Sequence, residues 1–507
     1  MRRAVPLVAA AALWVCHAAS APPHPLAPLT AGEIRDAARL FRTSGKFPGG
    51  GRFSTLTLQE PPKDLVLRNA AAPRRAFAVI YDPANNRTFE AVADLGAAKV
   101  ESWREVQGVQ PAIGAEDSGI ADGIVRSDPR WRAALRARGI NNPDRIVTEA
   151  WAAGYFGLPG TAGPRIVRVL SFDGGQGSNY DGHPVEGLVA HVNLTTGRVI
   201  DLLDTARDVP VSRENFDLDP RSNTPLRTAP ATLHITQPDG PGWQIENGEV
   251  RWQKWHFRYA LHPREGLVLY TVGYEDGGRV RPILYRGSLS EMVVPYGDPG
   301  GGWFFRNSFD AGELGLGQLA SSLRVGADCP ENCALFDAVV ADGAGVARTI
   351  PRAVALYERD AGVAWKHGEN TRRARELVLG YLSQAGNYEY GFDWVFHQDG
   401  TLEMRAALTG IMSVKGIADG AHDPYSHPVA KNIAAPHHQH FFTFRLDMDV
   451  DGARPNTVVE MNSAPVPAGP KNPYGGAFTM EETPLRTERD AQRKLSLETS
   501  RRWIVES

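Results

Sequence analysis

His438 and His440 stand two apart, ahead of the aromatic run Phe441-Phe442-Thr443-Phe444. On an extended chain, residues i and i+2 point to the same side. Two imidazoles on one side can hold a single metal ion, and imidazole suits copper or zinc. The competing reading is a histidine-rich loop that holds nothing, since His437 sits alongside. Just beyond, Asp447, Asp449 and Asp451 alternate with Met448 and Val450 before Gly452. Carboxylate oxygens suit a hard cation such as calcium, and a polar hairpin end is the plainer alternative. Asp310 lies in Asn307-Ser308-Phe309-Asp310-Ala311-Gly312-Glu313. A carboxylate among aromatic and small residues can be raised in pKa and act as a base. On local grounds alone, a turn carboxylate beside Gly312 is the favoured reading. Tyr388, in Gly386-Asn387-Tyr388-Glu389-Tyr390-Gly391, carries no local mark that separates it from a core aromatic.

Taken together these segments resemble the copper amine oxidase family. Asn387-Tyr388-Glu389-Tyr390 resembles the motif bearing that family's self-modified tyrosine, and His438-Gln439-His440 its paired copper ligands. Phe309-Asp310-Ala311-Gly312-Glu313 is similar to the segment of the catalytic base. Val293-Val294-Pro295-Tyr296-Gly297-Asp298-Pro299 is similar to the one whose tyrosine bonds the cofactor. The order of the four motifs along the chain is also the family's. Weaker likenesses run through Tyr285–Met292, Val458–Ser463 and Asn472–Phe478.

The resemblance implies a chemistry. Tyr388 would be oxidised by copper and dioxygen to topaquinone, whose carbonyl takes a primary amine as a Schiff base. Asp310 would be the proton acceptor, and Phe309 beside it would help raise its pKa. Tyr296 would orient the cofactor, and the products would be aldehyde, ammonia and hydrogen peroxide. His438 and His440 would ligate copper, and Asp447, Met448 and Asp449 would belong to a second, calcium-type site. Ser308 stands where members border the substrate channel, and its small size suggests an open entrance. The family is homodimeric.

Two departures accompany the likeness. The family's third copper histidine is expected far downstream, yet no histidine follows His440 in these 507 residues. The catalytic domain is therefore expected to be incomplete. An active oxidase and a non-catalytic secreted homologue, an amine binder or partner subunit, both remain open. Cys329 stands at the family's first disulfide position, while its partner is expected near Ala353, where there is no cysteine. Either Cys333 replaces it or Cys329 is free.

The elements that must position these residues follow from composition and pattern. Hydrophobic residues make up 42% and charged residues 22%, so the chain can bury several cores. The net charge of −3, without a basic stripe, argues against nucleic acid as a partner. Arg2, Arg3, the apolar run from Val5 to Val15 and small residues to Ala21 predict a signal peptide over 1–21, hence a secreted or lumenal protein. That run is shorter than the roughly 20 residues of a membrane span. Asn86-Arg87-Thr88 and Asn193-Leu194-Thr195 are glycosylation triplets.

A small α+β domain is expected over 22–110. Its helix is capped by Thr30 and Glu33, and strands at Ala76–Tyr81 and Thr88–Val92 join through Asn85-Asn86. A second α+β domain, 111–215, has Asp128 and Pro129 starting a helix, a further helix over Val147–Phe156, and strands at Ile166–Phe172, Leu188–Asn193 and Val199–Leu203. A linker covers 216–244. From 245 to 507, strands alternate with turns at regular spacing, the pattern of a large all-β sandwich.

Overall fold

The computed structural model describes residues 24–157, 163–218 and 225–507. The expected leader and Cys16 lie outside the described residues, as does part of the 216–244 linker.

The first unit is a four-stranded antiparallel sheet, Arg52–Leu58, Arg75–Asp82, Arg87–Asp94 and Lys99–Val106, covered by the helix Ala31–Thr43. Thr30 and Glu33 form the expected capping box, and Ile34, Ala37, Ala38 and Phe41 are the buried face. A second four-stranded sheet carries two helices, Ala115–Ser127 and Pro129–Ala137, the latter capped by Asp128. The strands expected at 166–172, 188–193 and 199–203 belong to this sheet.

The helix expected at Val147–Phe156 is instead the edge strand Ile146–Ala152. Val147, Ala150 and Trp151 have helical spacing, but the segment serves two cores at once. Ala150 packs with Val169 and Ala190, while Trp151, one residue on, packs against Tyr296 on the opposite side. Only an extended chain sends neighbours to opposite faces.

The rest is sheet. Seven strands form one layer, among them Trp255–His262, Gly266–Asp276, the 17-residue Arg279–Pro295, and Phe441–Met448 paired against Arg279–Pro295. Five strands from Ala334–Ala341 to Leu402–Gly410 form the other. Their facing sides make the main core, where Phe257 stacks on Phe396 at 4.0 Å and Trp255 meets the same ring edge-on at 5.3 Å. This is α+β followed by a β sandwich, as expected. Among the described residues no helix is long and apolar enough to cross a membrane.

The glycosylation triplets are built into turns. Asn86 donates to the Gly163 carbonyl at 2.7 Å and accepts from Tyr81 Oη at 3.0 Å. Asn193 is buried and accepts from the Thr196 N–H. Cys329 and Cys333 are joined in a disulfide.

Candidate active site

Tyr388 opens the strand Tyr388–His397, directly after a two-residue hairpin turn that pairs Ala385 with Tyr388. Gly386 has φ +61°, which suits the first position of such a turn. On the other side Tyr388 pairs with Gly410. There φ is +91°, and a Cβ would stand 2.6 Å from the Glu389 nitrogen and 2.9 Å from Tyr388 Cα. Only glycine lets the chain pass so close to Tyr388.

Three groups meet the Tyr388 hydroxyl. Tyr296 Oη donates to it at 3.3 Å and the Ser413 N–H at 3.1 Å. His438 Nε2 lies 3.1 Å away. His438 Nδ1 is 2.9 Å from the Pro436 carbonyl, so in the neutral ring the proton sits on Nδ1 and Nε2 is the acceptor facing Tyr388. The two histidines lie in the extended segment between Ile433–Pro436 and Phe441–Met448, not inside a regular strand. Both rings still turn to one side. Their centroids are 5.1 Å apart, and each meets the Tyr388 ring at an angle, at 5.8 and 5.5 Å. Burial, reinforced by His438, lowers His440 to about 4, which keeps it as the neutral imidazole that ligates metals.

This donor set suits copper: two imidazoles, one with its tautomer fixed, beside a phenol that both rings touch. Among the described residues no third histidine, cysteine or carboxylate completes a metal cluster with them.

Tyr296 is buried, stacked on His438 at 4.9 Å and bridged to it through the backbone. Its rear is closed by Trp303 at 5.5 Å and by Trp151, edge-on at 6.4 Å. Ser413 is fixed by its neighbours: Lys415 is bound by Asp298 and Asp423, and the Gly416 N–H by Glu186 at 2.9 Å.

Asp310 begins a single π-helical turn, Asp310–Leu314, and is 4% exposed. Burial raises it to about 6; Ser308, hydrogen-bonded to Oδ1, pulls the other way, and Glu291 adds to the rise. Phe309, expected to supply the apolar surroundings, is 44% exposed. The burial comes instead from the cavity wall, where Val294, Leu314 and Trp151 accompany Asp310. Glu291 shapes the turn by accepting from the Ala311 and Gly312 N–H groups at 2.9 and 3.1 Å.

One cavity of about 350 Å³ is lined by Tyr388, Asp310, Tyr296, Tyr390 and Ser413, with Glu313, Glu149 and Asp181 further along. Burial, ahead of the nearby carboxylates, raises Glu313 to about 7. The cavity adjoins a larger one of about 700 Å³, sharing Ile113, Ser118, Glu313 and Leu314 as a wall. Sequence reasoning missed Trp151, Glu149, Asp181, Gly410 and Ser413. None sits in a patterned motif, and only chain topology brings them here.

The Asp447, Met448 and Asp449 set does not fit a calcium ion. The Lys63 ammonium, from the helix Lys63–Leu67 of the first unit, lies 2.8 Å from Asp447 and 2.6 Å from Asp449. It also sits 4.9 Å over the Tyr285 ring. Asp451 pairs with Arg281.

Comparison with known proteins agrees with this geometry. Residues 244–507 match the family description "Copper amine oxidase, enzyme domain", and residues 24–106 match "Copper amine oxidase, N2 domain". The chain belongs to the copper amine oxidase family. It is 37% identical to a histamine oxidase of Arthrobacter globiformis over 95% of this chain and 72% of that one. The copper methylamine oxidase of Arthrobacter sp. (strain P1) is also 37% identical, over 95% and 75%. The crystal structure of a copper-containing benzylamine oxidase from Hansenula polymorpha shares the fold, with TM-score 0.83 at 24% identity over 95% of this chain and 79% of that one. As in other copper amine oxidases, the activity to account for is amine oxidation.

Proposed function

We propose that this copper amine oxidase oxidises primary amines to aldehydes, with release of ammonia and hydrogen peroxide, through topaquinone formed from Tyr388. The observation that carries the reading is the convergence of Tyr388, Asp310 and Tyr296 on one cavity with both histidines against Tyr388. His438 and His440 would hold copper, and Tyr388 would carry the quinone, which supplies the electrophile and electron sink that side chains lack.

The chain's own residues do the rest. Asp310 takes the proton from the substrate carbon that bears nitrogen. A base raised to about 6 is ionised at neutral pH yet more basic than an exposed carboxylate. Ser308 holds the carboxylate in place. Tyr296 and the Ser413 N–H fix the Tyr388 oxygen, and so the face its ring offers to the amine. Trp151 and Trp303 keep water from behind Tyr296. A homodimer is part of the proposal. The hairpin Ala347–His367 and Asn370–Ala385 exposes Val363 and Trp365 near its tip, which suits a partner surface.

The test is to treat the purified full chain with copper and oxygen, then apply a quinone redox stain and assay peroxide release with a primary amine. The stain and activity are expected in the wild type and absent in Tyr388→Phe. Copper bound without stain would overturn the reading and favour a non-catalytic amine binder.

A further inference from the structure

We propose that Glu149 and Asp181 form the distal end of the amine site and select substrates carrying a second ammonium group, that is, α,ω-diamines. This rests on the oxidase reading of Tyr388 and Asp310.

Both acids line the same cavity as Tyr388 and Asp310. Glu149 and Trp151 are i and i+2 on the strand Ile146–Ala152, so they share a face. Trp151 meets Tyr296 at 6.4 Å, Tyr296 bonds Tyr388, and the Trp151 Nε1 is 3.4 Å from Glu149 Oε2. Glu149 therefore stands one indole ring beyond the group that orients Tyr388. Asp181 comes from the turn Tyr180–Gly182 and hydrogen-bonds Glu149.

Charge is one-sided here. The lining holds four carboxylates, Glu149, Asp181, Asp310 and Glu313, and no lysine, arginine or histidine side chain. Arg306 lies 5.3 Å from the Trp151 ring and acts on Glu149 from behind the wall, but it is buried, stacked on Trp303 at 3.5 Å, and does not line the cavity. A monoamine engages the acids only at the Asp310 end. A diamine whose first nitrogen reaches Tyr388 lays its methylenes along Trp151 and Phe172 and brings its second ammonium to Glu149 and Asp181. Burial, then the neighbouring Glu149 carboxylate, raises Asp181 to about 7. An arriving ammonium gains a charge-assisted contact with the two acids.

The experiment compares 1,4-diaminobutane with butylamine on the copper-treated full chain. It measures kcat/KM by peroxide release and, independently of turnover, binding by calorimetry. The wild type is expected to favour the diamine by about tenfold or more in both readouts. The ratio should collapse towards one in Glu149→Gln and Asp181→Asn and persist in Asp181→Glu. Equal treatment of the two amines by the wild type, or an unchanged ratio in both neutral variants, overturns the proposal. If the variants fail to fold, a series of wild-type diamines of increasing length decides. A preference peaking at one length supports the distal site, and a flat series refutes it. Absence of stain and of turnover with every amine breaks the oxidase reading instead, and the binding ratio still reports on Glu149 and Asp181.

Discussion

Two groups of acids in this molecule read alike as sequence and behave as opposites. Asp310, Glu313, Glu149 and Asp181 face a shared cavity whose lining contains no cation, and burial raises Asp310, Glu313 and Asp181. Asp447, Asp449 and Asp451 face Lys63 and Arg281, and the guanidinium beside Asp451 lowers it. Lys63 itself is desolvated, which opposes its charge, but its two aspartates more than offset that and raise it. The neutralised group ties the first unit to the sandwich. On the proposed reading, the unneutralised group supplies the proton acceptor and the attraction for ammonium that amine oxidation needs. Proximity of carboxylates alone does not separate a functional site from a structural one; the placement of bases around them does.

The largest effect expected from breaking this contrast is at Asp310. Asp310→Asn keeps the shape and removes the base, so kcat/KM for a primary amine should fall by about 10²–10⁴ while the quinone stain persists. A loss of less than tenfold would mean that Glu313, on the same wall and raised to about 7, takes the proton, and Glu313→Gln would then carry the loss.

Lys63→Met tests the other side by turning a paired group into an unpaired one. The charged hydrogen bonds it removes are worth about 1.5–3 kcal/mol each at full burial. Lys63 is 30% and Asp447 43% exposed at the side chain, so about 1–2 kcal/mol of stability is expected to go. In the variant, millimolar calcium should recover part of that loss in a thermal melt. In the wild type calcium should change nothing, and a tightly bound calcium found there would break the contrast.

The same contrast explains what the sequence disclosed. Thr30, Glu33, Asp128 and Pro129 act within one helical turn, so their caps were legible. That Tyr388, Asp310, Tyr296 and the histidine pair would lie together was legible through the order of their motifs. Lys63 was not, because the pairing joins residues almost four hundred positions apart. Nor was the strand at Ile146–Ala152, whose alternate side chains serve separate cores. Its mistaken helical reading hid Glu149 and Trp151, since a helix would not have sent both to one face. Phe309 was misjudged for a related reason: adjacency in sequence says nothing about which wall of a cavity a ring joins.

The smallest expected effect is a displacement of a pH profile. In the wild type the acid limb of kcat/KM should fall near pH 6, because Asp310 is a base only when ionised and loses activity as pH drops through its pKa of about 6. Burial and Glu291 push that value up, and the Ser308 hydroxyl pushes it down by bonding the ionised carboxylate. Ser308→Ala removes the lowering contact and leaves the raising ones, so the limb should move to higher pH. The plateau at alkaline pH should change far less than activity near pH 6, since there Asp310 is ionised with or without the hydroxyl. A limb that stays put would assign the titration to another group of the unneutralised set, with Glu313 the first to examine. A limb that moves to lower pH would mean that Ser308 bonds the protonated acid, reversing the sign of its contribution.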